Sequence, residues 1–180
     1  MIVVVALLRW IEKLGDFGRV SDTIHRVEKA AHDALVAAGR LPRLGALAST
    51  TVPSGAISIY PSKCGLLQHI DTERLNRIGE EGNFQIHLAA QIGHQLHPAT
   101  PVMRVTEKIS EEQIKELREC VSVGREREFE DDPLFGLTVL SEIASRALSP
   151  AVNDPGTAIE VCDAGLRLFG AYADASAEEE

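Results

Sequence analysis

The most constraining feature of the chain is its corner: Leu148-Ser149-Pro150-Ala151-Val152-Asn153-Asp154, between two segments with helical apolar spacing. After Asp132-Pro133, the residues Leu137, Leu140, Ala144 and Ala147 recur at three- and four-residue steps. After Asp154-Pro155 the same rhythm runs through Ile159, Cys162, Leu166 and Phe169. An Asp at an N-cap accepts a hydrogen bond from a first-turn amide, and Pro suits the next position because its missing N–H would go unpaired there. Ser149 precedes a proline and is pushed out of helical geometry, which closes the first helix. A link this short joins helices only as an antiparallel pair.

Upstream, the apolar positions Trp10, Leu14, Phe17, Val20, Ile24, Val27, Ala31, Ala34 and Ala38 predict a long helix with one narrow seam. Gly15 and Gly18 predict a kink within it. Gly39 and Pro42 mark its end. The seam suits either packing within its own domain or a stalk that pairs with a second copy.

Residues 43–106 change period. Ile57 and Ile59, then Phe84, Ile86 and Leu88, alternate as in strands, and Val102, Met103 and Val105 suggest another. Asp71 is placed to cap a short helix through Leu75 and Ile78 that stops near Gly79 and Gly82. Ser110 and Gln113 have capping-box spacing for a further helix, and Val121 and Val123 form a last strand. The expected fold class is α+β: a small, mostly antiparallel sheet or partial barrel flanked by helices, with a long N-terminal helix and a C-terminal antiparallel helix pair. The expected organisation is an N-terminal helix over 1–42, an α+β cytosolic domain over 43–172, and a frayed acidic tail over 173–180.

Four stretches carry a family resemblance. They are Arg125 to Leu137, Ile143 to Pro155 with Thr157-Ala158, and, more weakly, Gly65-Leu66-Leu67-Gln68-His69-Ile70-Asp71 and Gly93 to Val102. Together they resemble the signature of a bacterial predicted membrane protein family, domain-of-unknown-function family 2254. Leu66 stands where that family has an aromatic residue, and Leu96 and Ala99 depart from its pattern. The resemblance implies several membrane helices preceding a C-terminal part like this chain, and it brings no known activity.

The apolar run Ile2 to Leu8 is shorter than the roughly 20 residues of a membrane helix. It reads either as a buried element or, with the resemblance, as the end of a transmembrane helix; membrane association is therefore expected through residues 1–8 or upstream of them. Arg9, Lys13 and Arg19 beyond it follow the positive-inside pattern, which puts the rest on the cytosolic side of an inner membrane. A chain complete as given would instead be cytoplasmic.

Residues 1–60 carry a net +2 and residues 61–180 a net −11, and an acidic body is repelled by nucleic-acid phosphates. Cys64, Cys120 and Cys162 are odd in number and far apart, consistent with reduced thiols rather than a disulfide framework or zinc site. His94 and His97 have metal-like spacing but no neighbouring carboxylate, and read as solvated loop residues. His25 and His32 lie two helical turns apart, about 10.5 Å, too far to share an ion. No cofactor or metal is expected, and no nucleophile motif, Walker loop or dinucleotide fingerprint is present.

The remaining candidates form one cluster for a ligand or for structure: Arg125, Arg127, Asp132, Arg146, Ser149, Asn153 and Asp154. Arginine forks bind phosphate or carboxylate, and paired carboxylates divide acid and base work. Two functions follow. One is a non-enzymatic cytosolic module of a membrane protein (structural, ligand-sensing or gating) that self-associates through its N-terminal helix. The other is a soluble enzyme with an Arg/Asp-lined cleft in the 125–155 region.

Overall fold

The computed structural model describes Val5, residues 20–47 and residues 51–178. In chain order the elements are α1 (Val20–Arg40), a 3-10 turn (Pro42–Gly45), β1 (Ile57–Ile59), β2 (Gly65–Ile70), α2 (Thr72–Gly82), β3 (Ile86–Leu88), β4 (Gln95–Leu96), β5 (Met103–Val105), α3 (Glu111–Glu119), β6 (Val121–Gly124), α4 (Phe135–Ala147) and α5 (Pro155–Ala177). The class is α+β, as the patterning predicts. The strands form two open three-stranded antiparallel sheets, in the orders β1-β5-β3 and β4-β2-β6, and not a barrel.

Local chemistry sets most of these boundaries. Asp71 accepts a hydrogen bond from the Arg74 amide and starts α2. Ser110 and Gln113 cap each other's backbone in a complete capping box at α3. Two strands escape the periodicity reading. In β2 the sequence is Gly-Leu-Leu-Gln-His-Ile, without strict alternation, and it is pinned on both edges by β4 and β6. Strand β4 is only two residues long and lies between His94 and His97.

The chain builds two cores. Ile59, Leu67, Val102, Met103, Val105 and Leu117 centre the first, between the sheets and α2 and α3. Ile24, Ala31, Leu35, Leu140, Ala164 and Leu168 centre the second, where α1, α4 and α5 meet. Each fully buried Leu or Ile there contributes about 1.5–3 kcal/mol relative to exposure. The described half of the N-terminal seam is therefore used inside the chain. Trp10, Leu14, Phe17 and the kink expected at Gly15 and Gly18 lie outside the described residues, as does the run Ile2 to Leu8 apart from Val5.

Helices α1 and α5 run parallel. Ser21 hydroxyl donates to Glu160 (2.8 Å), Arg167 forks onto Glu28 (2.6 and 2.8 Å), and Arg40 reaches Glu178 (3.3 Å), so positions advance together along both helices. Helix α4 runs against both, and Gly136 makes the close approach: a Cβ there would collide with Ala31. The N-terminal end of α1 thus lies at the same end of the bundle as the α4–α5 corner.

Three details differ from expectation. Helix α4 starts at Phe135 rather than at Pro133, because the Asp132 carboxylate is engaged by Arg127 and the Phe135 amide bonds the Asp132 carbonyl (3.1 Å). The buried face of α5 is Ala158, Val161, Ala164, Leu168 and Ala175; Ile159, Cys162, Leu166 and Phe169 point outward. Finally, α5 continues through Ala177, past the expected fraying at Ala173, because Ala175 is buried against Gly39 of α1.

Candidate functional site

Strand β2 is the platform of the candidate site. It lies between β4 and β6, and its register with β6 slips between Leu67 and His69. That bulge leaves Gln68 outside the ladder. Its side-chain amide donates to the Glu126 carbonyl (2.8 Å) and to the Glu128 carboxylate (2.7 Å), and it lies directly against Gly124. Next along the strand, His69 Nδ1 meets Asp131 Oδ2 at 2.7 Å, with both side chains about half exposed. The backbone of β2 also holds the 91–94 turn: the Gly93 amide donates to the Leu67 carbonyl (2.7 Å), and the Leu67 amide to the His94 carbonyl (3.0 Å).

Over that turn sits the most buried ion pair of the region. Arg127 Nε and Nη2 fork onto Asp132 Oδ2 and Oδ1 at 2.7 and 2.8 Å. The Asp132 side chain is only 3% exposed and that of Arg127 23%. Asp132 Oδ1 also accepts from the Leu134 amide (3.1 Å), and Arg127 Nη1 reaches the Thr138 hydroxyl (3.3 Å). The guanidinium lies 5.0 Å from the Phe135 ring centroid, and Phe135 in turn packs on Phe129 with centroids 4.5 Å apart. Gly93, at φ +84, lies directly beneath: any Cβ there would strike both the Asp132 carboxylate and the Arg127 guanidinium. The charged run is thus folded onto β2 and bolted to the start of α4 by a planar, bidentate pair.

The corner is built separately. The Ser149 hydroxyl and amide donate to the Arg146 carbonyl (2.7 and 3.2 Å), the Asn153 amide to the Ser149 carbonyl (2.9 Å), and the Asp154 amide to the Ala147 carbonyl (2.8 Å). Asn153 adopts the left-handed conformation at φ +49 that lets the chain reverse. Asp154 caps α5, accepting from the Thr157 amide (3.2 Å) and hydroxyl (2.7 Å); those bonds hold its carboxyl below the usual carboxylate range.

The seven sequence candidates therefore fall into two groups. Arg127 and Asp132 pair at the start of α4. Arg146, Ser149, Asn153 and Asp154 lie at its end, 13 residues on, or about 20 Å by helix rise. Arg125 is exposed where β6 ends. Among the described residues no group of three or more His, Cys, Asp or Glu side chains could hold a metal ion. His94 and His97 are exposed. The Cys120 thiol is buried, which raises its pKa, and it donates to the Glu116 carbonyl (3.3 Å). An open polar groove of about 380 Å³ beside β6 presents Lys63, Gln68, Arg118 and Ser122; the Arg118 Nε is bonded to the Tyr60 carbonyl (3.0 Å).

Sequence reasoning did not place Gln68, His69 or Gly93 in this cluster. The signal was the resemblance itself: its separate stretches, 65–71, 93–102 and 125–137, converge on one junction.

The whole chain, residues 1–180, matches the family described as "Predicted membrane protein (DUF2254)". An uncharacterised protein of Mycobacterium bovis and two of Mycobacterium tuberculosis strains are each 56% identical to it over 41 residues. That stretch is 23% of this chain and 8% of each relative, so the match spans a small part of their length. No solved structure matches. No helix among the described residues is long and apolar enough to cross a membrane.

Proposed function

Because this chain belongs to the DUF2254 family of predicted membrane proteins, we propose that it is the cytosolic, non-enzymatic module of such a protein, a helical stem that ties a membrane segment to a small β-rich body. One observation carries this reading. Arg127 and Asp132 are spent on each other and Asp154 on the first turn of α5, while Arg125 and Arg146 are exposed at opposite ends of α4. A site that binds and turns over a substrate needs such groups aimed at a cavity; a mechanical joint needs them aimed at each other. The parallel course of α1 and α5 supports the orientation, since α1 begins at the corner end while the start of α4, joined to the β-body through Arg127, Asp132 and Gly93, lies at the other. Arg9, Lys13 and Arg19 support the cytosolic side. In this role the Arg127–Asp132 bolt makes the stem and the β-body move as one unit.

The test uses the full-length protein with Cys162→Ser and Cys120→Ser, which keeps the exposed Cys64 in this module. A membrane-impermeant maleimide should label Cys64 in inverted membrane vesicles and not in intact spheroplasts. Labelling in intact spheroplasts would overturn the assigned side, and recovery of the protein in the soluble fraction would overturn the membrane role.

A further inference from the structure

The outward face of α5 has no partner within the described chain. Ile159, Cys162, Leu166, Phe169 and Ala173 follow one another at steps of three, four, three and four, and all are exposed; Ile159, Leu166 and Phe169 are 63, 70 and 56% exposed. This is a heptad seam, the spacing by which one helix meets another along its length. We propose that the seam is the contact between two copies of this chain, which pair α5 against α5.

Three observations favour a second copy. Of the positions beside the seam, Ala158, Asp163, Gly165, Gly170 and Tyr172, only Asp163 is charged, and a Cβ built on Gly165 or Gly170 meets nothing within 4 Å. A second helix can therefore approach closely, with a single exposed carboxylate per copy, Asp163, left at the rim. Next, Ile159, Leu166 and Phe169 alone expose roughly 400 Å² of side chain, about half of the ~800 Å² that each partner contributes to a standard specific interface. Cys162, Ala173 and Tyr172 add to it, and Leu148 and Val152 are exposed at the corner where α5 begins. Last, a lipid surface is a poor cover: the seam runs along the side of the bundle, and the charged residues of α5 are Glu160, Asp163 and Asp174 against Arg167, which is already paired with Glu28. Anionic headgroups repel such a flank. The opposite face of α5 is filled by α1 and α4, so dimerisation leaves the bundle core undisturbed.

The experiment is sedimentation of the 180-residue chain over a concentration series, beside maleimide labelling of Cys162 in a Cys64→Ser background. The expected result is a reversible dimer whose Cys162 labels more slowly as concentration rises. Leu166→Glu should raise the dissociation constant by at least about 100-fold, since each dimer loses two seam leucines, and should restore fast labelling. Leu166 is solvent-facing in the single chain, so circular dichroism of Leu166→Glu should match the parent; Leu166→Arg provides a second variant of opposite charge. A monomer at all concentrations with freely labelled Cys162 overturns the proposal. A monomer whose Cys162 is protected until residues 1–19 are deleted overturns it in favour of the chain's own N-terminal segment. Protection that requires anionic vesicles overturns it in favour of the membrane.

Discussion

Replacing Arg127 by Met tests whether the charged run is a joint. The substitution keeps much of the apolar stem that packs near Phe135 but removes the fork. Asp132 is then left 3% exposed with the Leu134 amide as its remaining donor. Stripping one partner from a buried pair costs about 3–5 kcal/mol, because the other charge stays desolvated. Arg127 itself is 23% exposed, so water reaches part of the site and the lower half of that range applies, about 3–4 kcal/mol. Asp132→Asn keeps the acceptor for Leu134 and one contact to the guanidinium, and should cost less. The double variant should cost less than the sum of the two, with a coupling of at least about 1.5 kcal/mol. Urea unfolding followed by circular dichroism at 222 nm measures all three. If Arg127→Met costs under about 0.5 kcal/mol, the range of an ordinary surface change, the pair is not a joint and the argument for a structural signature fails.

Gly93→Ala should destabilise the chain by more than about 2 kcal/mol in the same assay, since it combines a left-handed backbone with a Cβ driven into the Arg127–Asp132 pair. Gly136→Ala should cost about 1–3 kcal/mol by forcing α4 away from Ala31, and thermal unfolding of the helical signal reads it. The fork from Arg167 holds the Glu28 carboxyl below its ordinary value of 4.5. Its stabilisation is therefore complete above that pH and fades as pH falls through the lowered folded-state value. The stability difference between the parent and Glu28→Gln should be largest near neutrality and should shrink below pH 4.5.

Local rules written in neighbouring residues were legible without coordinates. Asp71, Ser110 with Gln113, and Asp154 with Pro155 each cap a helix through atoms no more than three residues apart, so the sequence alone determined where those helices begin. The same holds for the corner, where two proline signals and a seven-residue link leave only an antiparallel pair. Apolar period determined that α1 and α5 are helices. It did not determine which face of α5 is inside. Two apolar stripes share that helix, and its exposed one carries the larger side chains: Ile159, Leu166 and Phe169 against Val161 and Leu168 with Ala158, Ala164 and Ala175. The stripe with the most alanines takes the interior because α1 lies close and parallel, and only the packed bundle sets that distance.

The site divides along the same line. Sequence proximity grouped Arg125 through Asp154 as one cluster, but α4 is a rigid rod, and it carries Arg127 and Asp132 to one end and the corner to the other. Conversely, Gln68, His69 and Gly93 come from distant stretches, and β-pairing together with the bulge in β2 brings them under the charged run. Caps, turns and periods act over a few residues and can be read in order along the chain. Burial, helix facing and the pairing of Arg127 with Asp132 above Gly93 depend on contacts between residues far apart in sequence, and those exist only once the two cores have closed.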